Sequence, residues 1–138
     1  MIGLLFLALS GPPQTPPDPG ARAFQRCAAC HSLREDARSP APHLDGVVGR
    51  RAGAVESFAY SDAMRAAGRR GLVWDEATLE RFLADPEAVV PGTDMPYQGG
   101  SAAERAAVNA WLRQHPCTTA FTATPCDRSR VGAARRDG

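Results

Sequence analysis

Cys27-Ala28-Ala29-Cys30-His31 is the stretch on which the reading of this chain turns. Two thiols separated by two residues and followed at once by an imidazole have the spacing at which two thioethers hold a porphyrin while the histidine ligates its iron. Two rival readings use the same cysteines. A structural zinc site needs a second ligand pair, yet Cys117 and Cys126 lie far downstream with eight residues between them, and no H-x-x-x-H follows. A thioredoxin-like redox pair needs a βαβ setting, whereas Ala21-Arg22-Ala23-Phe24 and Ser32-Leu33 read as helix and loop. The pentapeptide therefore favours haem c, attached through Cys27 and Cys30, with His31 on the iron.

Composition agrees with that reading. The 138 residues suffice for one domain with a single core and tails, but only 7% are aromatic, and a covalently held porphyrin would supply much of the missing apolar volume. Every basic residue is arginine. Acidic and basic side chains balance between residues 20 and 116; the tail, where Arg128, Arg130, Arg135 and Arg136 outnumber Asp127 and Asp137, has a surplus of two, and Asp18 brings the whole chain to a formal +1. Such a balance excludes a nucleic-acid-binding stripe.

Outward from the pentapeptide, the chain divides into four parts. Residues 1–10 hold a short apolar run, Ile2 to Leu9, ending in Ala8-Leu9-Ser10, whose small residues fit a signal-peptidase site. The run is too short to cross a bilayer and no Lys or Arg precedes it, so it reads as a truncated export signal and no integral membrane span is expected. Residues 11–19, with Pro12, Pro13, Pro16, Pro17 and Pro19, read as an extended linker. Asp18 as N-cap and Pro19 at the first helical position then open a helix that carries Phe24 and ends near the pentapeptide. The domain occupies 20–116. Residues 117–138 form an extension in which a Cys117–Cys126 disulfide would close a short loop, worth ~2–3 kcal/mol if unstrained; the tail beyond it is expected to be disordered.

From Arg34 to Val55 helical periodicity disappears. Gly46, Gly49, Gly53, Pro40 and Pro42 mark a loop that wraps something, because no apolar pattern lets it pack upon itself. Asp75 is an N-cap for a helix through Ala84 with Leu79, Phe82 and Leu83 on its buried face, and Pro86 stops it. Ser101 and Glu104 form a capping box that starts a last helix, which presents Ala107, Val108, Trp111 and Leu112 and ends before Pro116. Met64 reads as a core residue, His43 and His115 as exposed ones.

Three more stretches carry a resemblance. Ala41-Pro42-His43-Leu44-Asp45-Gly46-Val47-Val48-Gly49-Arg50-Arg51-Ala52-Gly53, then Phe58-Ala59-Tyr60-Ser61-Asp62-Ala63, then Val89-Val90-Pro91-Gly92-Thr93-Asp94-Met95-Pro96-Tyr97, together with the pentapeptide, resemble class I cytochromes c of the mitochondrial and bacterial c2 type. The likeness spans roughly residues 20 to 115. It implies an all-α fold, with three main helices, shorter ones and long loops around one covalently bound haem.

The resemblance also implies roles, residue by residue. His31 and Met95 match the axial ligands. Pro42 matches the proline whose carbonyl accepts a hydrogen bond from the ligand histidine, while Ala41 departs from the usual glycine before it. Tyr60 and Trp74 match positions whose hydroxyl and indole N–H reach a haem propionate, and Arg50 matches a buried arginine near the same group. Phe82 stands where mitochondrial members carry a tyrosine whose hydroxyl bonds the methionine sulfur. Gly20 and Phe24 match the point where the first and last helices cross.

An iron ligated by imidazole and thioether has no open position for substrate, so the implied act is passing one electron through the haem edge. The expected partners are redox proteins: a quinol-oxidising cytochrome complex, a terminal oxidase or a periplasmic dehydrogenase. The expected setting is the periplasm, and the expected state a monomer. Two alternatives differ in class. A labile Met95 would open the iron to peroxidase chemistry or a small gas, and the 117–138 extension would suit a subunit dedicated to one dehydrogenase.

Overall fold

The computed structural model describes residues 16–35, 38–97 and 99–115. The apolar segment 1–10, most of the linker, the Cys117–Cys126 pair and the basic tail lie outside the described residues.

Five helices follow in order: α1 (Pro19–Ala28), α2 (Asp62–Arg69), α3 (Glu76–Ala84), α4 (Pro86–Val89) and α5 (Ala102–Arg113). The described residues contain no sheet. One isolated antiparallel bridge joins Arg51 to Val73, consistent with the all-α expectation.

Each helix begins on a side-chain oxygen that accepts a backbone N–H the first turn leaves unpaired. Asp18 Oδ1 accepts from Gly20 and Ala21 at 2.8 and 3.0 Å. Ser61, Asp75 and Asp85 do the same for Met64, Thr78 and Ala88. At α5 both halves of the capping box are present, and the Ser101 hydrogen bonds hold the Glu104 carboxyl below its usual range.

Two elements differ from expectation. Pro86 does follow the end of α3, but it also opens α4, since a proline at the first helical position gives up only an N–H that would be unpaired anyway. The location of α2 is not foreseen. Its buried face consists of Met64, Ala67 and Gly68, and two of those three side chains are too small to stand out as an apolar stripe.

The core gathers Phe24, Val47, Met64, Trp74, Leu79, Phe82, Leu83, Val90, Val108 and Leu112. Helices α1 and α5 cross tightly because Gly20 has no side chain. A Cβ there would fall 2.3 Å from Trp111 Cβ and 2.6 Å from the Ala107 carbonyl oxygen. Beside this crossing the rings of Phe24 and Trp111 lie 4.6 Å apart. Helix α3 meets α5 through Arg105, whose Nε donates to Glu80 Oε1 at 2.7 Å while Nη1 donates to the Gly100 carbonyl at 2.6 Å.

The long loop between α1 and α2 satisfies its backbone against other segments. Leu44 N–H and Asp45 N–H donate to the Ser32 and Leu33 carbonyls at 2.9 and 3.1 Å, and Gly46 N–H reaches the His115 carbonyl at 3.1 Å. Around the bridge, Gly49 N–H donates to Trp74 O at 2.8 Å, and Trp74 and Ala52 donate to Arg50 and Leu72 at 2.9 Å.

His43 and His115 are not exposed as expected; both are half-buried. The His115 ring stacks on Trp111 with centroids 3.9 Å apart and its Nδ1–H donates to the Trp111 carbonyl at 2.8 Å. His43 Nδ1 is buried without a hydrogen-bond partner. Both are drawn inward because the loop and the end of α5 close over each other. Met64 lies in the core, as expected.

Candidate haem site

The pentapeptide is assembled by the end of α1. Cys27 is the penultimate residue of the helix, and its carbonyl accepts from Cys30 N–H and His31 N–H at 3.0 and 2.8 Å, so one tight turn carries both thiols and the imidazole. Both thiols are free. Cys27 packs against the core and burial pushes its thiol above the usual range, whereas Cys30 is exposed.

His31 is oriented by the loop. Its Nδ1–H donates to the Pro42 carbonyl at 2.7 Å, which leaves Nε2 as the nitrogen with a free lone pair. Burial outweighs this hydrogen bond and, with nearby Arg50, keeps the imidazole neutral below its ordinary titration range. A neutral imidazole with one nitrogen fixed is the state a metal requires.

Arg50 holds the same loop from inside. Its guanidinium donates to the His43 carbonyl at 2.7 Å and to the Asp45 carbonyl at 3.2 Å, which still leaves further N–H groups. Burial lowers its pKa, while Tyr60 and Asp45 oppose that shift; the Tyr60 hydroxyl is raised by burial and drawn back by Arg50. Arg50 and Tyr60 are thus electrostatic neighbours. Trp74 is buried, its backbone paired with Arg50 and Gly49, and its ring lies 4.8 Å from that of Phe82.

Met95 lies on the loop after α4. Gly92, at φ +82°, follows Pro91 in a turn that an L side chain at the second position would strain. Glu87 Oε1 accepts from Gly92 N–H at 2.9 Å, Thr93 N–H donates to the Val90 carbonyl at 3.0 Å, and Thr93 Oγ1 accepts from Met95 N–H at 3.4 Å. Met95 is half-buried and packs against the core cluster that contains Trp74 and Phe82, and Cys27, Leu44 and Tyr60 each pack against the same cluster.

The donor set fits a haem. Two free thiols, an imidazole with one bare nitrogen, a thioether and an apolar core beside three N–H and O–H donors are what the two vinyl groups, the iron, the ring and the propionates would need. Sequence reading missed Thr93, Glu87 and the carbonyls of His43 and Asp45, which hold the two loops in place. A threonine two residues before Met95 is a signal for the first; the others arise only on folding.

A family model described as "Cytochrome c" matches residues 17–116. The chain belongs to the cytochrome c family. It is 43% identical over 100 residues to cytochrome c2 of Rhodoblastus acidophilus, covering 71% of this chain and 91% of that protein. To cytochrome c2 iso-2 of Magnetospirillum fulvum it is 44% identical over 92 residues, 66% of this chain and 93% of the relative. Among solved structures, cytochrome c2 from Rhodospirillum centenum superposes with a TM-score of 0.66 at 33% identity, covering 72% of this chain and 98% of that one. Cytochrome cH from Methylobacterium extorquens does so with a TM-score of 0.62 at 39% identity, covering 70% and 95%. Membership of the cytochrome c family implies a covalently bound haem c and makes the chain an electron carrier, not an enzyme. No helix among the described residues of this cytochrome is long and apolar enough to cross a membrane.

Proposed function

We propose that this cytochrome is a periplasmic one-electron carrier with a single haem attached through Cys27 and Cys30 and ligated by His31 and Met95. The observation that carries the ligation is the 2.7 Å hydrogen bond from His31 Nδ1–H to the Pro42 carbonyl, because it aims the opposite nitrogen and makes it more basic. When bound, the haem supplies a reversible one-electron iron couple.

The chain's own residues would hold that group in the same surroundings in both oxidation states. His31 presents Nε2 from a turn braced by Cys27 and the 42–45 loop. Met95 presents its sulfur from a loop stiffened by Pro91 and Pro96 and pinned through Thr93. Arg50, Tyr60 and Trp74 offer N–H and O–H groups to propionates, and the buried Leu79, Phe82 and Val90 keep water away. His31 and Met95 would hold the iron from loops the fold already braces, so little rearrangement of the chain would be needed when its charge changes. Suitable partners are a quinol-oxidising cytochrome complex, a terminal oxidase or a periplasmic dehydrogenase.

The test is maturation with haem followed by mass and visible spectra. The denatured protein should keep a mass of one haem per chain, lost when Cys27 and Cys30 are both changed to serine. The ferric form should show the weak red-edge band of methionine sulfur on iron, abolished in Met95→Ala. A wild-type ferric spectrum lacking that band at neutral pH would overturn the assignment of Met95.

A further inference from the structure

Away from the haem site, a hollow of about 200 Å³ lies between α2 and the turn after the bridge, lined by Arg51, Ala52, Gly53, Arg65, Gly68 and Arg69. A Cβ on Gly68 would fall 2.0 Å from the Ala52 carbonyl oxygen, so the helix sits directly on the turn, and the hollow lies beside that contact.

The charges around it do not cancel. Arg65 pairs with Asp62 and donates to the Tyr60 carbonyl. Arg51 and Arg69 are exposed, and their side chains make no ion pair or hydrogen bond among the described residues. Two arginines without a compensating partner therefore line one recess in a domain whose formal charges balance. Guanidinium forks match the oxygens of a tetrahedral oxyanion, and the hollow is large enough to admit such a group.

We propose that this hollow binds a doubly charged oxyanion, a phosphate or sulfate group, held by Arg51, Arg65 and Arg69. The site is independent of the haem reading, since none of these residues belongs to the set assigned to the haem. Occupancy links the 51–53 turn to α2, whose contact is otherwise held by backbone packing.

The experiment follows backbone amides of the isotope-labelled, haem-loaded protein by NMR. Sodium phosphate, at a pH where it is largely dianionic, is titrated against sodium chloride of equal ionic strength. Phosphate should shift the amides of residues 51–53 and 65–70 saturably, and Arg51→Gln or Arg69→Gln should each weaken binding by about tenfold, the value of one charge-assisted contact. Arg22→Gln on α1, exposed and distant in sequence, should leave it unchanged. Equal shifts in chloride, shifts that do not saturate, or shifts that survive in the Arg51 and Arg69 variants would overturn the site. Far-ultraviolet circular dichroism checks that the variants remain folded. Sedimentation with phosphatidic acid vesicles, against phosphatidylcholine alone, separates the sources: retention lost in Arg51→Gln puts the group on a lipid headgroup, and no retention puts it in solution.

Discussion

Phe82 lies buried with its ring 4.8 Å from Trp74, on the face of α3 that enters the core. A hydroxyl added there would need an acceptor in apolar surroundings, and the proposed haem site implies the sulfur of Met95 as that acceptor. Phe82→Tyr should therefore shift the reduction potential in a redox titration; an unmoved midpoint would show that the ring is turned from the sulfur. His43 makes a second case. Burial, then the positive charge of Arg50, hold its imidazole below the ordinary value, while Glu35 and Asp45 pull the other way. The unfolded chain thus takes up a proton that the folded one refuses. The stability this confers is full above the usual histidine value of about 6.5 and is lost as pH falls below it. Urea unfolding at about pH 7 and about pH 5 should show a smaller loss in His43→Asn than in the parent.

At the scale of elements, the α1–α5 crossing is the least forgiving contact. Its two backbones meet at Gly20, so even one methyl group must push against Trp111 Cβ and the Ala107 carbonyl, neither of which is the end of a flexible side chain. Gly20→Val should cost about 1–3 kcal/mol or more by denaturant unfolding, although the position touches no residue assigned to the haem. This crossing was legible because Gly20 and Phe24 match the point where the resemblance implies that the first and last helices cross, and Trp111 lies on the apolar face of the last helix. Helix α2 was not: an eight-residue helix whose buried face is one methionine, one alanine and one glycine carries too little apolar contrast. Helix α4 was hidden for a different reason, because a proline that ends one helix reads the same as one that opens the next.

The whole molecule is close to electrically neutral, and that governs how it meets partners. Arginines and carboxylates balance across 20–116, and Glu87 and Asp94, near Met95, are exposed acids. Long-range steering is therefore weak. Stopped-flow electron transfer with a charged partner should slow only modestly as salt rises; a steep decline would show a local charged patch taking over from the net charge.

Much of this protein was decided by residues alone. Helix starts depend on one oxygen and one N–H a few positions away, so Asp18, Asp75 and the Ser101/Glu104 box were readable and are in place. The haem-attachment motif is likewise local, since both thiols and the imidazole ride on one turn. Tertiary structure decided what depends on segments far apart in the chain: Arg50 reaching the carbonyls of His43 and Asp45, His115 lying on Trp111, and α2 seated on the turn at Ala52. No local pattern encodes these contacts. They exist because a loop with no apolar periodicity must find its hydrogen bonds and burial elsewhere, and only the folded chain determines where.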